Sequence, residues 1–130
     1  MLEPAEKRAA LGSDVAIARR MPVRDRLAEL AQAVEQERAR PPSGSRTGRL
    51  LASGLPKMAQ KLVEEAGEVV VDAMRKDRRA VVQESADLLY HLTVLWTELG
   101  IRPDDVWLEM DRRRALLGLA EKLPKDKPGA

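Results

Sequence analysis

The chain has 130 residues, a length suited to a single domain. It holds no cysteine, which excludes a disulfide scaffold or a thiolate metal site, and only two Trp, one Tyr and no Phe, which argues against a β-sandwich or a base-stacking nucleic-acid surface. Hydrophobic residues make up 44% and charged residues 34%, with a net charge of +2, and no apolar run approaches the roughly 18 residues of a membrane span.

Residues 1–20 are rich in Ala and Arg, have weak periodicity and are broken by Gly12-Ser13-Asp14. They read as a poorly ordered or loosely helical extension, without the apolar core of a signal peptide. Residues 21–121 read as one helical domain and 122–130 as a frayed tail. In the domain, Val23, Leu27, Leu30 and Val34 recur at helical spacing, predicting an amphipathic helix of about 16 to 18 residues. Pro41-Pro42-Ser43-Gly44 ends it. Ser45 to Ser53 reads as a short helical turn with Leu50 and Leu51 as its apolar part and Gly54 as its stop.

Pro56 opens a long helix running to about Lys76. Its apolar positions include Met58, Leu62, Val69, Val70, Ala73 and Met74. A second long helix spans about Arg78 to Leu99 and stops at Gly100. Its apolar residues spread well beyond one stripe, so it must be covered on two sides. A chain this short has little material for that, and a homodimer or higher homo-oligomer is the economical solution. Pro103 begins a last helix, with Asp104 and Asp105 favourable to its dipole and Val106, Trp107, Met110 and Leu117 on its apolar side. The expected fold is all-α: a bundle of about four to five helices around a long antiparallel hairpin, completed by oligomerisation.

Two carboxylate pairs, Glu65 with Glu68 and Glu84 with Asp87, are spaced i, i+3 in otherwise apolar helical runs. That spacing places each pair on one helix face. In an antiparallel hairpin, positions with a constant sum lie at one height. Glu68 with Glu84 and Glu65 with Asp87 share a sum that centres the turn on residue 76, within the polar stretch from Met74 to Arg79. Four carboxylates this close repel unless something positive joins them. A hard divalent cation such as Mg2+ suits oxygen ligands and implies phosphate chemistry. Lys61, Glu65, Glu68 and Asp72 form one helical stripe and Glu84, Asp87 and His91 another, with Glu64 at the edge. A single such pair is ordinary surface decoration; two pairs matched in height are not. Asp72 reads as a surface partner for Arg75 or Lys76, and His91 as a hydrogen-bonded residue beside the site or in the dimer packing. Lys57 and Lys61, one turn apart, either bind phosphate or are solvated. Tyr90 reads as a packing residue whose hydroxyl finds a partner, and Trp96 and Trp107 as core or interface residues.

The run Glu64-Glu65-Ala66-Gly67-Glu68, followed after fifteen residues by Glu84-Ser85-Ala86-Asp87, resembles the ExxE…ExxD pattern of the MazG-like all-α nucleotide pyrophosphohydrolases. The longer run Glu84-Ser85-Ala86-Asp87-Leu88-Leu89-Tyr90-His91-Leu92 resembles the phosphoribosyl-ATP pyrophosphohydrolase family more specifically. Ser45-Arg46-Thr47, Leu50-Leu51, Gly54 and the segment Lys57 to Glu65 also match, and the resemblance covers about residues 21–114. It implies Mg2+-dependent cleavage of the α–β phosphoanhydride of phosphoribosyl-ATP, giving phosphoribosyl-AMP and pyrophosphate in histidine biosynthesis. By position, Glu65, Glu68, Glu84 and Asp87 would be metal ligands, and Glu64, Glu65 and Glu68 the catalytic carboxylates, with Glu64 a further ligand or the base. Lys57 and Lys61 would face the triphosphate, Ser45 and Thr47 would sit in a loop near it, and His91 would join the substrate-binding set.

Three positions depart from the family pattern: Arg46 where Tyr is usual, Val63 where Gly is usual, and Gly67 where Val is usual. They bear on substrate choice and leave the carboxylates intact. The competing readings are a house-cleaning nucleoside triphosphate pyrophosphohydrolase of the MazG-like group and a non-catalytic bundle that binds a regulatory cation. A cytoplasmic protein acting on a small nucleotide, with no nucleic-acid or membrane partner, is expected.

Overall fold

The computed structural model describes residues 24–40 and 44–117, so the expected extension over 1–20 and tail over 122–130 lie outside the described residues. Among the described residues five helices follow in order: α1 (Arg26–Ala39), α2 (Arg46–Ala52), α3 (Leu55–Met74), α4 (Arg78–Glu98) and α5 (Pro103–Leu117). No strand occurs among the described residues. The all-α expectation holds.

Local chemistry sets the helix starts. Asp25 caps α1 by accepting from the Ala28 amide at 2.9 Å, Ser45 caps α2 from Gly48 at 2.9 Å, and Asp77 caps α4 from Ala80 at 3.1 Å. Before α3 the cap is Gly54, whose φ of 90° and ψ of 166° belong to a region essentially reserved for glycine, with proline in the first turn behind it. The hairpin turn uses Lys76 at φ 58°, a left-handed position at the expected turn centre. The Asp77 amide donates to Asp72 O at 3.1 Å across that turn.

The α3–α4 hairpin is the spine of the molecule, with α1 laid on α4, α2 bridging α1, α3 and α4, and α5 against α1. The core is small: Val34, Leu50, Met58 and Val94 are buried, with Leu30, Leu51, Tyr90 and Leu95 packed on them. Thr93 and Thr97 are buried on α4 and satisfy their hydroxyls by donating to Leu89 O at 2.8 Å and Thr93 O at 3.0 Å. Trp107 Nε1 donates to Asp25 Oδ2 at 2.6 Å, and its ring meets Trp96 edge to face at 6.4 Å, which ties α5 to the start of α1 and to α4.

Part of the expected apolar side of α3 is not buried by the chain. Val70 and Met74 lie outward, Met74 with 81% exposure, and Val63 joins them at 72%. Met110 of α5 is also exposed. The reason is steric. The hairpin seats the carboxylate stripe of α3 against α4, and the stripe through Val63, Val70 and Met74 is left uncovered by the described residues. On α4, Val82, Leu89 and Leu99 are exposed while Val94 is buried, as expected of a helix apolar on more than one face.

Candidate metal and nucleotide site

The two carboxylate pairs meet where the hairpin geometry requires. One oxygen each from Glu65, Glu84 and Asp87 lie within 4.8 Å of one another. Among the described residues no hydrogen-bond partner reaches Glu65 Oε2 or Glu84 Oε2, although both atoms are buried. Only a shared proton or a cation can join carboxylates in that arrangement. Without a cation the shared proton wins: hydrogen bonding to the Glu68 carboxylate, then to Glu65, with desolvation and charge repulsion behind them, pushes Glu84 up to about 7. An all-oxygen, acidic donor set with orphaned buried oxygens fits a hard divalent cation of the Mg2+ class.

Glu68 sits on the exposed side of this group, close enough to Glu84 to share its proton but outside the three-oxygen set. It lines an open cleft of about 650 Å³ with Glu64, Gly67, Asp72, Arg75 and Glu84. Glu64 faces Lys61 at 3.1 Å and Gln60 at 3.0 Å, and these bonds, Lys61 foremost, hold its carboxyl below the usual range. Asp72 has no ion pair with Arg75 or Lys76 among the described residues; it lies on the cleft wall instead.

On the other side stands a wall of positive charge. His91 is 2% exposed on α4. Its Nε2 lies 3.3 Å from Arg46 Nη2 and 3.7 Å from Glu65 Oε1. The guanidinium can only donate, so Nε2 accepts and the proton belongs on Nδ1, which is buried and without a partner. Burial lowers the His91 pKa against the pull of Glu65 and keeps the ring neutral. Arg46 also stacks on Tyr90, its guanidinium carbon 5.1 Å from the ring centroid. Tyr90 in turn exchanges a 2.6 Å hydrogen bond with Thr47, so Thr47 reaches the site through Tyr90. Ser45 caps α2 and donates to Glu37 Oε2 at 3.0 Å, so its hydroxyl is engaged in shaping the loop. Arg46, Arg49, Lys57, Lys61 and His91 surround a cleft of about 250 Å³ over Leu50.

The expected residues thus divide into a carboxylate group (Glu65, Glu84 and Asp87, with Glu68 beside them), a lysine rim bearing Glu64, and a loop pair, Ser45 and Thr47. Arg46, Arg49 and Tyr90 were not among the expected site residues. The available signal was the position of Arg46 between Ser45 and Thr47, a segment already tied to the site.

A helical hairpin that presents clustered carboxylates beside a cationic cleft has the charges to hold a divalent cation and a phosphate ligand side by side. Residues 27–114 match the model of the phosphoribosyl-ATP pyrophosphohydrolase family. A protein named phosphoribosyl-ATP pyrophosphatase 2 from Rhodopseudomonas palustris is 59% identical over 105 residues, 81% of this chain and 80% of the relative. One of the same name from Bradyrhizobium diazoefficiens is 59% identical over 101 residues, 78% and 75% of the two chains. A phosphoribosyl-ATP pyrophosphatase from Rhizorhabdus wittichii is 50% identical over 101 residues, 78% of this chain and 95% of the relative. The chain belongs to the phosphoribosyl-ATP pyrophosphohydrolase family, a family of hydrolases.

Proposed function

We propose that the protein hydrolyses the α–β phosphoanhydride of phosphoribosyl-ATP to phosphoribosyl-AMP and pyrophosphate, in histidine biosynthesis, with Mg2+ as cofactor. The observation that carries this reading is the three-oxygen carboxylate group with its orphaned buried oxygens, in a chain of this family. Glu65, Glu84 and Asp87 would hold the cation, and Glu68 would close the set from the exposed side. A divalent cation there supplies charge neutralisation for phosphate oxygens and lowers the pKa of water.

The rest falls to the chain itself. Lys57 and Lys61 face the triphosphate, while Ser45 and Thr47 shape the α2 loop beside it and His91 closes the inner wall. In hydrolysis the water oxygen bonds to the phosphorus from which the bridging oxygen departs, and that oxygen keeps the electron pair. The water proton passes to a carboxylate of the Glu64/Glu68 pair. The exposed stripe of Val63, Val70 and Met74 supports a homodimer or higher homo-oligomer. No helix among the described residues is long and apolar enough to cross a membrane, and an enzyme of nucleotide metabolism is assigned to the cytoplasm in this reading.

The test is direct. Purified protein with Mg2+ and phosphoribosyl-ATP should release pyrophosphate, and Asp87→Asn should abolish release while leaving the helical circular dichroism unchanged. Absence of pyrophosphate would overturn the reading, and release of single phosphate would overturn the site of cleavage.

A further inference from the structure

Four cations crowd the cleft over Leu50, and among the described residues Lys61 alone of them has a carboxylate partner. Among the described residues, no carboxylate lies within ion-pair distance of Arg46, Arg49 or Lys57. Arg49 donates to Gly44 O, and Arg46 is held by Tyr90 and His91. A cleft lined by one sign of charge with an apolar floor focuses its field on an anion.

Position narrows the anion. His91 touches both sides: its Nε2 is 3.3 Å from Arg46 and 3.7 Å from the cation-holding Glu65. A ligand that reaches both the carboxylate-bound cation and the cleft needs negative charges on adjacent groups. A diphosphate has that form; a single phosphate ester does not. The planar guanidinium, held 5.1 Å over the Tyr90 ring and bonded to His91 through Nη2, has further N–H groups with which to bind phosphate oxygens.

We propose that Arg46, with Lys57 and Arg49, forms a subsite for the terminal diphosphate of the nucleotide, and that Tyr90 and Thr47 are positioning residues for the Arg46 fork. This rests on the reading of the protein as a nucleotide pyrophosphohydrolase. The subsite retains the β and γ phosphates and later the pyrophosphate product. It makes Arg46 the residue that distinguishes triphosphate from shorter substrates.

The probe is inorganic pyrophosphate, titrated calorimetrically into the full chain at saturating Mg2+, with AMP as the control ligand. Arg46→Ala should weaken pyrophosphate binding by about tenfold or more, the worth of one charge-assisted contact. It should leave AMP and Mg2+ affinities unchanged and raise KM for the triphosphate substrate more than it lowers kcat. Arg46→Lys should recover part of the loss, because lysine keeps the charge without the fork or the stacking. Unchanged pyrophosphate affinity in Arg46→Ala would overturn the subsite, as would equal losses for pyrophosphate, AMP and Mg2+. The two readings fail separately. A wild-type protein inactive on phosphoribosyl-ATP whose pyrophosphate binding still depends on Arg46 overturns the substrate and leaves the subsite. An active wild type whose pyrophosphate binding ignores Arg46 does the reverse.

Discussion

Binding of a divalent cation to the carboxylate cluster should expel a proton, and Glu84 sets how much. In the cation-free protein the carboxylates of Glu68 and Glu65 push Glu84 up to about 7. A cation can use the Glu84 oxygens only after that proton leaves. With a pKa of about 7, Glu84 is mostly protonated near pH 6 and mostly ionised near pH 8. Mg2+ titrated calorimetrically in buffers of different ionisation enthalpy should show more proton release near pH 6 than near pH 8. Glu84→Gln should release fewer protons than the wild type near pH 6. Release near zero at about pH 6, or equal release at about pH 6 and pH 8, would refute the shared-proton arrangement. Stability follows the same group. Its folded pKa lies above the ordinary 4.5, so protonation favours the fold. The contribution is fully present below that ordinary value and is lost as pH rises through about 7. Cation-free protein should therefore melt at a lower temperature near pH 8 than near pH 6, and saturating Mg2+ should reduce the difference.

Other outcomes follow from the packing. Met58 is 1% exposed at the centre of the core, so Met58→Ala should destabilise the fold by about 2–5 kcal/mol, read as a lowered urea midpoint at constant slope. Gly54 holds a φ of 90°, and a Cβ there would meet nothing closer than Pro56 Cδ at 3.8 Å. The penalty of Gly54→Ala is therefore conformational, about 1–3 kcal/mol, and a cost near zero would show that the α3 cap relaxes freely. In the proposed homo-oligomer, the double variant Val70→Lys with Met74→Lys should give a folded monomer by light scattering where the wild type is larger, because both residues lie on the outward stripe; equal masses for variant and wild type would overturn the assignment of that stripe to an interface.

The hairpin was legible because its information is local. The pairing of Glu68 with Glu84 and of Glu65 with Asp87 needs only helical rise and a turn, and Lys76 supplies the turn at the expected place. The caps Asp25, Ser45 and Asp77 are likewise short-range chemistry. Periodicity could mark Val70 and Met74 as apolar positions of α3, but it cannot tell burial within a chain from burial against another. The contact of Arg46 with His91 spans 45 positions, so the local segment Ser45-Arg46-Thr47 could bring Arg46 near the site but could not pair it with His91. The same holds for Tyr90, which reads as packing and turns out to carry the Arg46 stack on one side and Thr47 on the other.

The site's two halves are each incomplete in the same sense, with opposite sign. Among the described residues, three carboxylates converge without a counter-charge, and three cations face a cleft without a carboxylate. Arg46 and Glu65, one from each group, both approach His91 Nε2, at 3.3 and 3.7 Å. What separates the two is the buried, neutral ring, wedged between Arg46 and Glu65 by α4 packing. A neutral spacer of that size keeps anion and cation apart while holding them within reach of one ligand. Such a ligand must bring positive charge to one side and negative charge to the other, as a cation-bound polyphosphate does. The electrostatic stability withheld from the free protein is thereby reserved for the complex, which is why Arg46 and Glu84 together are the residues on which the site's behaviour turns.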